Sequence, residues 1–211
     1  MKPLIILFFF LVVTGISKAG VIFKGDTTIN NNTKPIFAAL EFEPEYPGGA
    51  SAFYKYISKN LRYPDVARLI GISGKLFVSF VVDKDGEIVE VTPINCLGAG
   101  CESEAVTVVS TSIPWKPGIQ NGKPVRVQYT MPINFYINIA KVSMKKLRTS
   151  NYGFVFDIKG TLYSLDEAQA ILGKSFNPNQ IEISEPFYNA NKDPKFEMPD
   201  KKEVYLLKIK S

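Results

Sequence analysis

The sequence predicts a small α+β fold over residues 44–136, and three patterns predict it. Phe53, Tyr56, Ile57 and Leu61 recur at helical spacing on one face. Two β-favouring runs, Leu76 to Val82 and Ile88 to Ile94, flank the turn residues Asp83-Lys84-Asp85-Gly86, the signature of an antiparallel hairpin. Val125, Val127, Tyr129 and Met131 alternate with Arg126, Gln128 and Thr130, the period of a strand with one wet face.

Each element follows from local chemistry. Pro44-Glu45-Tyr46-Pro47-Gly48-Gly49 is a turn cluster, and the helix after it ends before Tyr63-Pro64, because proline restricts the residue that precedes it. Val66, Ala67, Leu69 and Ile70 make a further helical turn closed by Gly71, and Gly74 restarts the chain as a strand. Asp83 and Asp85 echo a calcium loop but lack its later ligands and join strands, so they read as a turn. Glu102 and Glu104 suit a helix N-terminus ahead of Ala105, Val108 and Val109. The β-branched run from Val106 to Thr111 also fits a strand, and pattern alone leaves both readings open. Asn121-Gly122 marks a tight turn before a closing strand from Val125 to Phe135.

Of the 211 residues, 45% are hydrophobic and 12% aromatic, enough for a real core. The net charge is +5, and the basic runs, Lys145-Lys146 with Arg148 and Lys201-Lys202, lack interleaved aromatics, so no nucleic-acid partner is expected. The chain contains no histidine. That removes the commonest general base, the commonest zinc ligand and the Ser-His and Cys-His pairs, so no catalytic residue, metal or cofactor is assigned. A remote alternative is a carboxylate-based hydrolase using Glu41, Glu43 and Glu45, or Glu102 and Glu104, which would require two acids opposed across a cleft.

Residues 1–19 read as a signal peptide: Lys2 supplies the positive start, Pro3 to Ile16 the apolar run, and Ser17-Lys18-Ala19 the small residues of a cleavage site. The run is shorter than the roughly 20 residues of a spanning helix, and Lys18 interrupts it, which disfavours the alternative of an inner-membrane anchor. The expected location is therefore the periplasm. Residues 20–43 form a polar leader with one strand expected from Ile36 to Phe42, and Asn31-Asn32-Thr33 reads as loop.

In this order the features resemble the C-terminal domain of the TonB family of periplasmic energy transducers, over about residues 44–136. The resemblance is carried by Tyr63-Pro64 with Ala67, by Gly71 and Gly74 leading into Val78, Phe80 and Val82, by Asp85-Gly86, and by Trp115 with Pro117-Gly118. It implies a three-stranded antiparallel sheet with two helices packed on one face. It also implies that the last strand is an edge receiving an extended segment of an outer-membrane TonB-dependent receptor or another envelope protein. That assigns Val125, Arg126, Val127, Gln128, Tyr129, Thr130 and Met131 to the partner-binding edge, with Arg126, Gln128 and Thr130 on the exposed face. Strand addition would supply main-chain hydrogen bonds for affinity and alternate side chains for selectivity. The same alternation also fits the solvated side of an ordinary strand, and the edge could pair with a second copy to give a homodimer. Tyr63, Pro64, Trp115, Pro117 and Gly118 read as corner and core residues.

A force-transmitting member of that family needs an uncleaved membrane helix and a long proline-rich spacer. Residues 20–43 would reach only about 80 Å fully extended, so partner capture without force transmission is the expected role and an anchored transducer the alternative. Cys96 and Cys101 bracket Leu97-Gly98-Ala99-Gly100; export permits a disulfide worth about 2 kcal/mol, with two reduced thiols as the alternative. Residues 141–211 form a small α/β extension. Phe154-Val155-Phe156 leads to a Lys159-Gly160 turn, Ser164 with Glu167 makes a capping box for a helix through Leu172 stopped by Gly173, and Ile181 to Ile183 and Val204 to Ile209 supply strands. Together with Asn177-Pro178-Asn179-Gln180-Ile181-Glu182 this series resembles part of a TonB-dependent receptor plug domain; the alternative is an appendage that stabilises the sheet.

Overall fold

The structure, a computed structural model, describes residues 40–210. The expected signal peptide, most of the polar leader and the start of the strand expected at Ile36 lie outside the described residues. Within them, Phe42 makes only an isolated antiparallel bridge to Ile119.

Helix α1 (Gly49–Asn60) starts after Gly48, whose φ of 86° turns the chain, and buries Phe53 and Ile57. Helix α2 (Asp65–Ile70) buries Val66, Ala67 and Ile70 and ends on left-handed Gly71, whose N–H returns to the Ala67 carbonyl. Strand β1 (Gly74–Val82) pairs antiparallel with β2 (Ile88–Pro93), Val82 opposite Ile88 and Val78 opposite Pro93, with a shift in register between Ser79 and Val81. Helix α3 (Cys101–Ser110) settles the ambiguity over Val106 to Thr111. Cys101, Ala105, Val108 and Val109 are all buried, and this single apolar stripe outweighs the modest helix cost of β-branching.

Strands β3 (Gly118–Gln120) and β4 (Lys123–Val125) form a two-stranded ribbon around Asn121-Gly122, both at positive φ, which is the tight turn expected there. Strand β5 (Val127–Phe135) completes a three-stranded sheet of order β2-β1-β5. The mixed α+β class with a three-stranded antiparallel sheet is thus present.

The described residues pack as two units. One takes the residues up to Leu61 with Phe77–Ile94 and Ala105–Pro132. Its core is aromatic: the Trp115 ring lies 4.8 Å from Phe53, 5.6 Å from Phe80 and 5.9 Å from Tyr129 between centroids. Tyr56 on α1 donates from its hydroxyl to the Val108 carbonyl on α3 at 3.1 Å, tying the two helices together.

The other unit takes Arg62–Leu76, Asn95–Glu104 and Ile133–Ser211. Strand β6 (Val142–Ser143) leads into α4 (Met144–Thr149), capped by the Ser143 hydroxyl. Strands β7 (Tyr152–Ile158) and β8 (Thr161–Tyr163) turn over Lys159-Gly160, and α5 (Leu165–Leu172) carries the complete Ser164–Glu167 capping box and stops at Gly173. Strand β9 (Ser175–Phe176) pairs with β6. Strands β10 (Ile181–Pro186) and β11 (Glu203–Ile209) complete a mixed sheet of order β10-β11-β7-β8, in which β11 runs parallel to β7. Phe154, Phe156, Met144, Leu147 and Leu207 fill its core.

Candidate functional site

Strand edges are where a second chain can add, and this fold guards most of its own. Edge strand β2 is irregular: its register shifts, Glu90 sits at φ 53°, and Pro93 ends it. On β10 the Ser184 carbonyl already accepts the Ala99 N–H at 3.0 Å. Strand β8 has three residues, and Lys195 donates to its Leu162 carbonyl at 3.3 Å. Strand β5 has nine residues and no strand neighbour beyond β1 among the described residues.

Pro132 orients that edge. Proline has no N–H, so a strand tolerates it where the donor would face outward. Residues two and four positions earlier share its direction, which turns the backbone groups of Thr130 and Gln128 outward as well.

The structure divides the expected edge of residues 125–131. Val127 to Met131 lie in β5, with Val127, Tyr129 and Met131 buried. Val125 instead pairs with Gly118 in the β3–β4 ribbon, and Arg126 links the two strands. Two corrections concern the expected exposed face. Thr130 is 9% exposed, and it lines a pocket together with its neighbours Tyr129 and Met131. Arg126 is half-buried and committed within the fold, 2.7 Å from Glu90 and 3.6 Å from Asp83, and the adjacent Glu90 carboxylate raises its already high pKa. Gln128 is exposed, but its side chain donates to the Ser79 hydroxyl at 2.8 Å.

The pocket next to the β5 edge holds about 60 Å³. Pro44, Tyr46, Phe53, Tyr54, Phe80, Trp115, Tyr129 and Met131 make it predominantly apolar. The Tyr129 hydroxyl donates to the Pro44 carbonyl at 3.2 Å, and burial followed by the nearby Glu43 charge pushes its pKa up. Sequence reasoning identified several of these residues singly and missed their convergence. They come from four separated segments, and no short-range spacing connects them.

The motif residues lie at turns and in cores. Tyr63 donates to the Ile72 carbonyl and meets Phe135 edge-on at 5.6 Å; burial raises its pKa. Pro64 precedes α2, Ala67 is fully buried, and a Cβ on Gly74 would fall 2.5 Å from Leu97 Cδ2. The Asp85 carboxylate accepts the Glu87 N–H at 3.1 Å, and Gly86 adopts φ 87°. The Trp115 indole donates to Ser112 Oγ at 3.1 Å. Pro117 is half-buried, and a Cβ on Gly118 would fall 2.6 Å from Val127 Cγ2.

The expected disulfide is not formed. Cys96 is exposed, Cys101 is buried at the head of α3, and both are free thiols. Between them the Glu102 carboxylate accepts the N–H groups of Leu97 and Gly98, the latter at 2.7 Å, which fixes the loop without a covalent tie. Burial pushes Cys101 up to about 12 and also raises Cys96. For Glu102, burial acts to raise the carboxyl pKa, but the N–H groups of Gly98, Glu102 and Leu97 and the Cys96 thiol bring it below the ordinary value.

A raised carboxyl pKa is what a general acid would need, and Glu102 moves the other way. Glu104 accepts the Arg62 N–H at 2.7 Å, Glu41 accepts the Gly122 N–H at 3.2 Å, and Glu45 pairs with Lys116 at 3.0 Å. No group of three or more metal-ligating side chains is gathered among the described residues.

No curated protein matches the chain. Among solved structures, it is similar to the solution structure of the Helicobacter pylori TonB C-terminal domain, at 23% identity and a TM-score of 0.34, covering 44% of this chain and 88% of that one. Residues 59–137 match the family model described as Gram-negative bacterial TonB protein C-terminal. This stretch contains α2, the β1–β2 hairpin, α3, the β3–β4 ribbon and β5, and it is a domain of the TonB C-terminal family.

Proposed function

We propose that the chain is a periplasmic binding module that captures an extended segment of an outer-membrane receptor, or of another envelope protein, as a strand added to β5 along residues 127–131. The match of residues 59–137 to the TonB C-terminal family supports an envelope protein-interaction role. The observation that supports this particular surface is the β5 edge: nine residues long, oriented by Pro132, and without a described neighbour on its outer side. Val125 ends the β3–β4 ribbon, and Arg126 leads from it into β5. No described helix is long and apolar enough to cross a membrane. For the N-terminus the sequence pattern of residues 1–19 supports cleavage after Ala19, and mass measurement of the chain in envelope fractions checks it: intact Met1 in the membrane pellet would favour an anchored transducer.

The test of the surface compares two substitutions at Gln128 in the full chain, with synthetic peptides covering the N-terminal segments of outer-membrane receptors as probes. Gln128→Pro removes an outward donor and is expected to abolish capture. Gln128→Ala keeps the N–H, loses only the Ser79 contact, and is expected to retain capture. Peptide affinity unchanged in Gln128→Pro would reject the edge.

A further inference from the structure

We infer that the pocket beside β5 selects one branched aliphatic side chain of the incoming strand and that its acidic rim favours a lysine or arginine next to it. This specificity reading rests on the edge-strand proposal above.

The placement follows from strand geometry. Side chains of a strand alternate between faces, so every second residue of a segment added to β5 projects on the face of Tyr129 and Met131. The pocket opens there, walled by Phe53, Trp115, Tyr129 and Met131. Its volume of about 60 Å³ suits a valine or leucine better than a large aromatic. Three of these walls are aromatic rings already packed against one another, with Trp115 and Phe53 edge-on at 75°, so the shape is set before any ligand arrives.

Charge complementarity identifies the neighbouring residue of the occupant. The segment entering α1 presents exposed Glu41, Glu43 and Glu45. Glu45 is neutralised by Lys116, whereas no cation pairs with Glu41 or Glu43 among the described residues. Glu43 directly precedes Pro44, a wall of the pocket whose carbonyl accepts the Tyr129 hydroxyl at 3.2 Å, so the backbone holds this exposed carboxylate beside the pocket. Arg126 is held by Glu90 and Asp83 and does not offset it. A basic residue beside the anchoring aliphatic one therefore meets an unpaired negative field.

The test measures affinity of the full chain for synthetic alternating Thr/Val peptides that differ at one central position, Leu or Asn, and at the flanks, Lys or Glu. The Leu peptide is expected to bind about tenfold or more tightly than the Asn peptide. The Lys-flanked form should exceed the Glu-flanked form by a margin that shrinks with added salt. Ala50→Phe, which intrudes on the pocket, should erase the Leu preference, and Glu43→Lys should reverse the flank preference. Circular dichroism establishes that each variant is folded, and the wild-type peptide comparison stands without any variant. Equal binding of the Leu and Asn peptides overturns the pocket, and equal binding of the two flanked forms overturns the rim. If all peptides bind equally and Gln128→Pro abolishes them all, the edge survives and this specificity falls. If Gln128→Pro leaves binding intact, the edge reading itself falls. Peptide affinity that drops as protein concentration rises would place a second copy on this face and overturn the assignment to a partner, as would the absence of binding by every peptide.

Discussion

The Trp115 amide donates to the Gly86 carbonyl at 2.8 Å, and a Cβ built on Gly86 would stand 1.8 Å from the Trp115 carbonyl oxygen. The tip of the β1–β2 hairpin is therefore pressed against the backbone that carries the central ring of the aromatic core. Gly86 also adopts φ 87°, which side-chain-bearing residues rarely enter. Gly86→Ala is expected to cost about 3 kcal/mol or more. Gly122→Ala, at a turn where a Cβ meets nothing within 4 Å, should cost about 1 kcal/mol. Urea unfolding of the two variants checks the difference, and equal losses would contradict the clamp.

Gly98 makes a comparable approach in the second unit. Its added Cβ would fall 2.2 Å from the Ser184 carbonyl oxygen, and the next residue, Ala99, donates to that same oxygen. Gly98→Ala is expected to speed hydrogen exchange at the β10 and β11 amides. Gly173→Ala, with open space around its Cβ, should leave those amides protected. Identical exchange in both variants would show that the 98–184 contact does not hold the strand.

Glu102 predicts a pH dependence of stability. Its folded-state pKa is lowered, so its stabilisation is fully present above the ordinary carboxylate range and is lost as pH falls through the lowered value. At neutral pH, Glu102→Gln should be less stable than the wild type by about 1 kcal/mol, a figure moderated by solvent screening at this half-buried site. The gap should close on acidification. A gap that stays constant with pH in denaturant titrations would rule out the carboxylate clamp.

The two thiols should separate in labelling. Cys101 is fully buried with its pKa pushed up to about 12, whereas Cys96 is exposed and also raised. Native protein is expected to take up one maleimide, slowly and at Cys96, because the thiolate is the reactive form. Cys101 should react only after unfolding. Mass spectrometry showing rapid double labelling, or none even in denaturant without reductant, would contradict this arrangement.

Much of the fold was legible where the physics is local. Ser164, Glu167 and Gly173 define both ends of α5 within a few residues of chain, and Asp83 to Gly86 specifies a turn whatever surrounds it. Val106 to Thr111 was ambiguous because β-branched residues suit either structure; burial of Cys101, Ala105, Val108 and Val109 along one stripe made it helical. The edge was legible as an alternation. Its division at Arg126, the burial of Thr130 and the free thiols were not, since each depends on what other segments place nearby.

The sequence by itself determined where helices, hairpins and turns form, that the chain lacks histidine, and which family its middle resembles. These follow from side-chain periodicity, capping and backbone restriction over short spans. Only the tertiary structure decided that β7 and β11 pair in parallel across the tail, that Pro44, Phe53, Trp115 and Tyr129 meet in one pocket, and that the long β5 edge is without a described outer neighbour. The reason is that pairing and burial between distant segments depend on how apolar faces and unpaired backbone groups are satisfied together, and no local pattern contains that information.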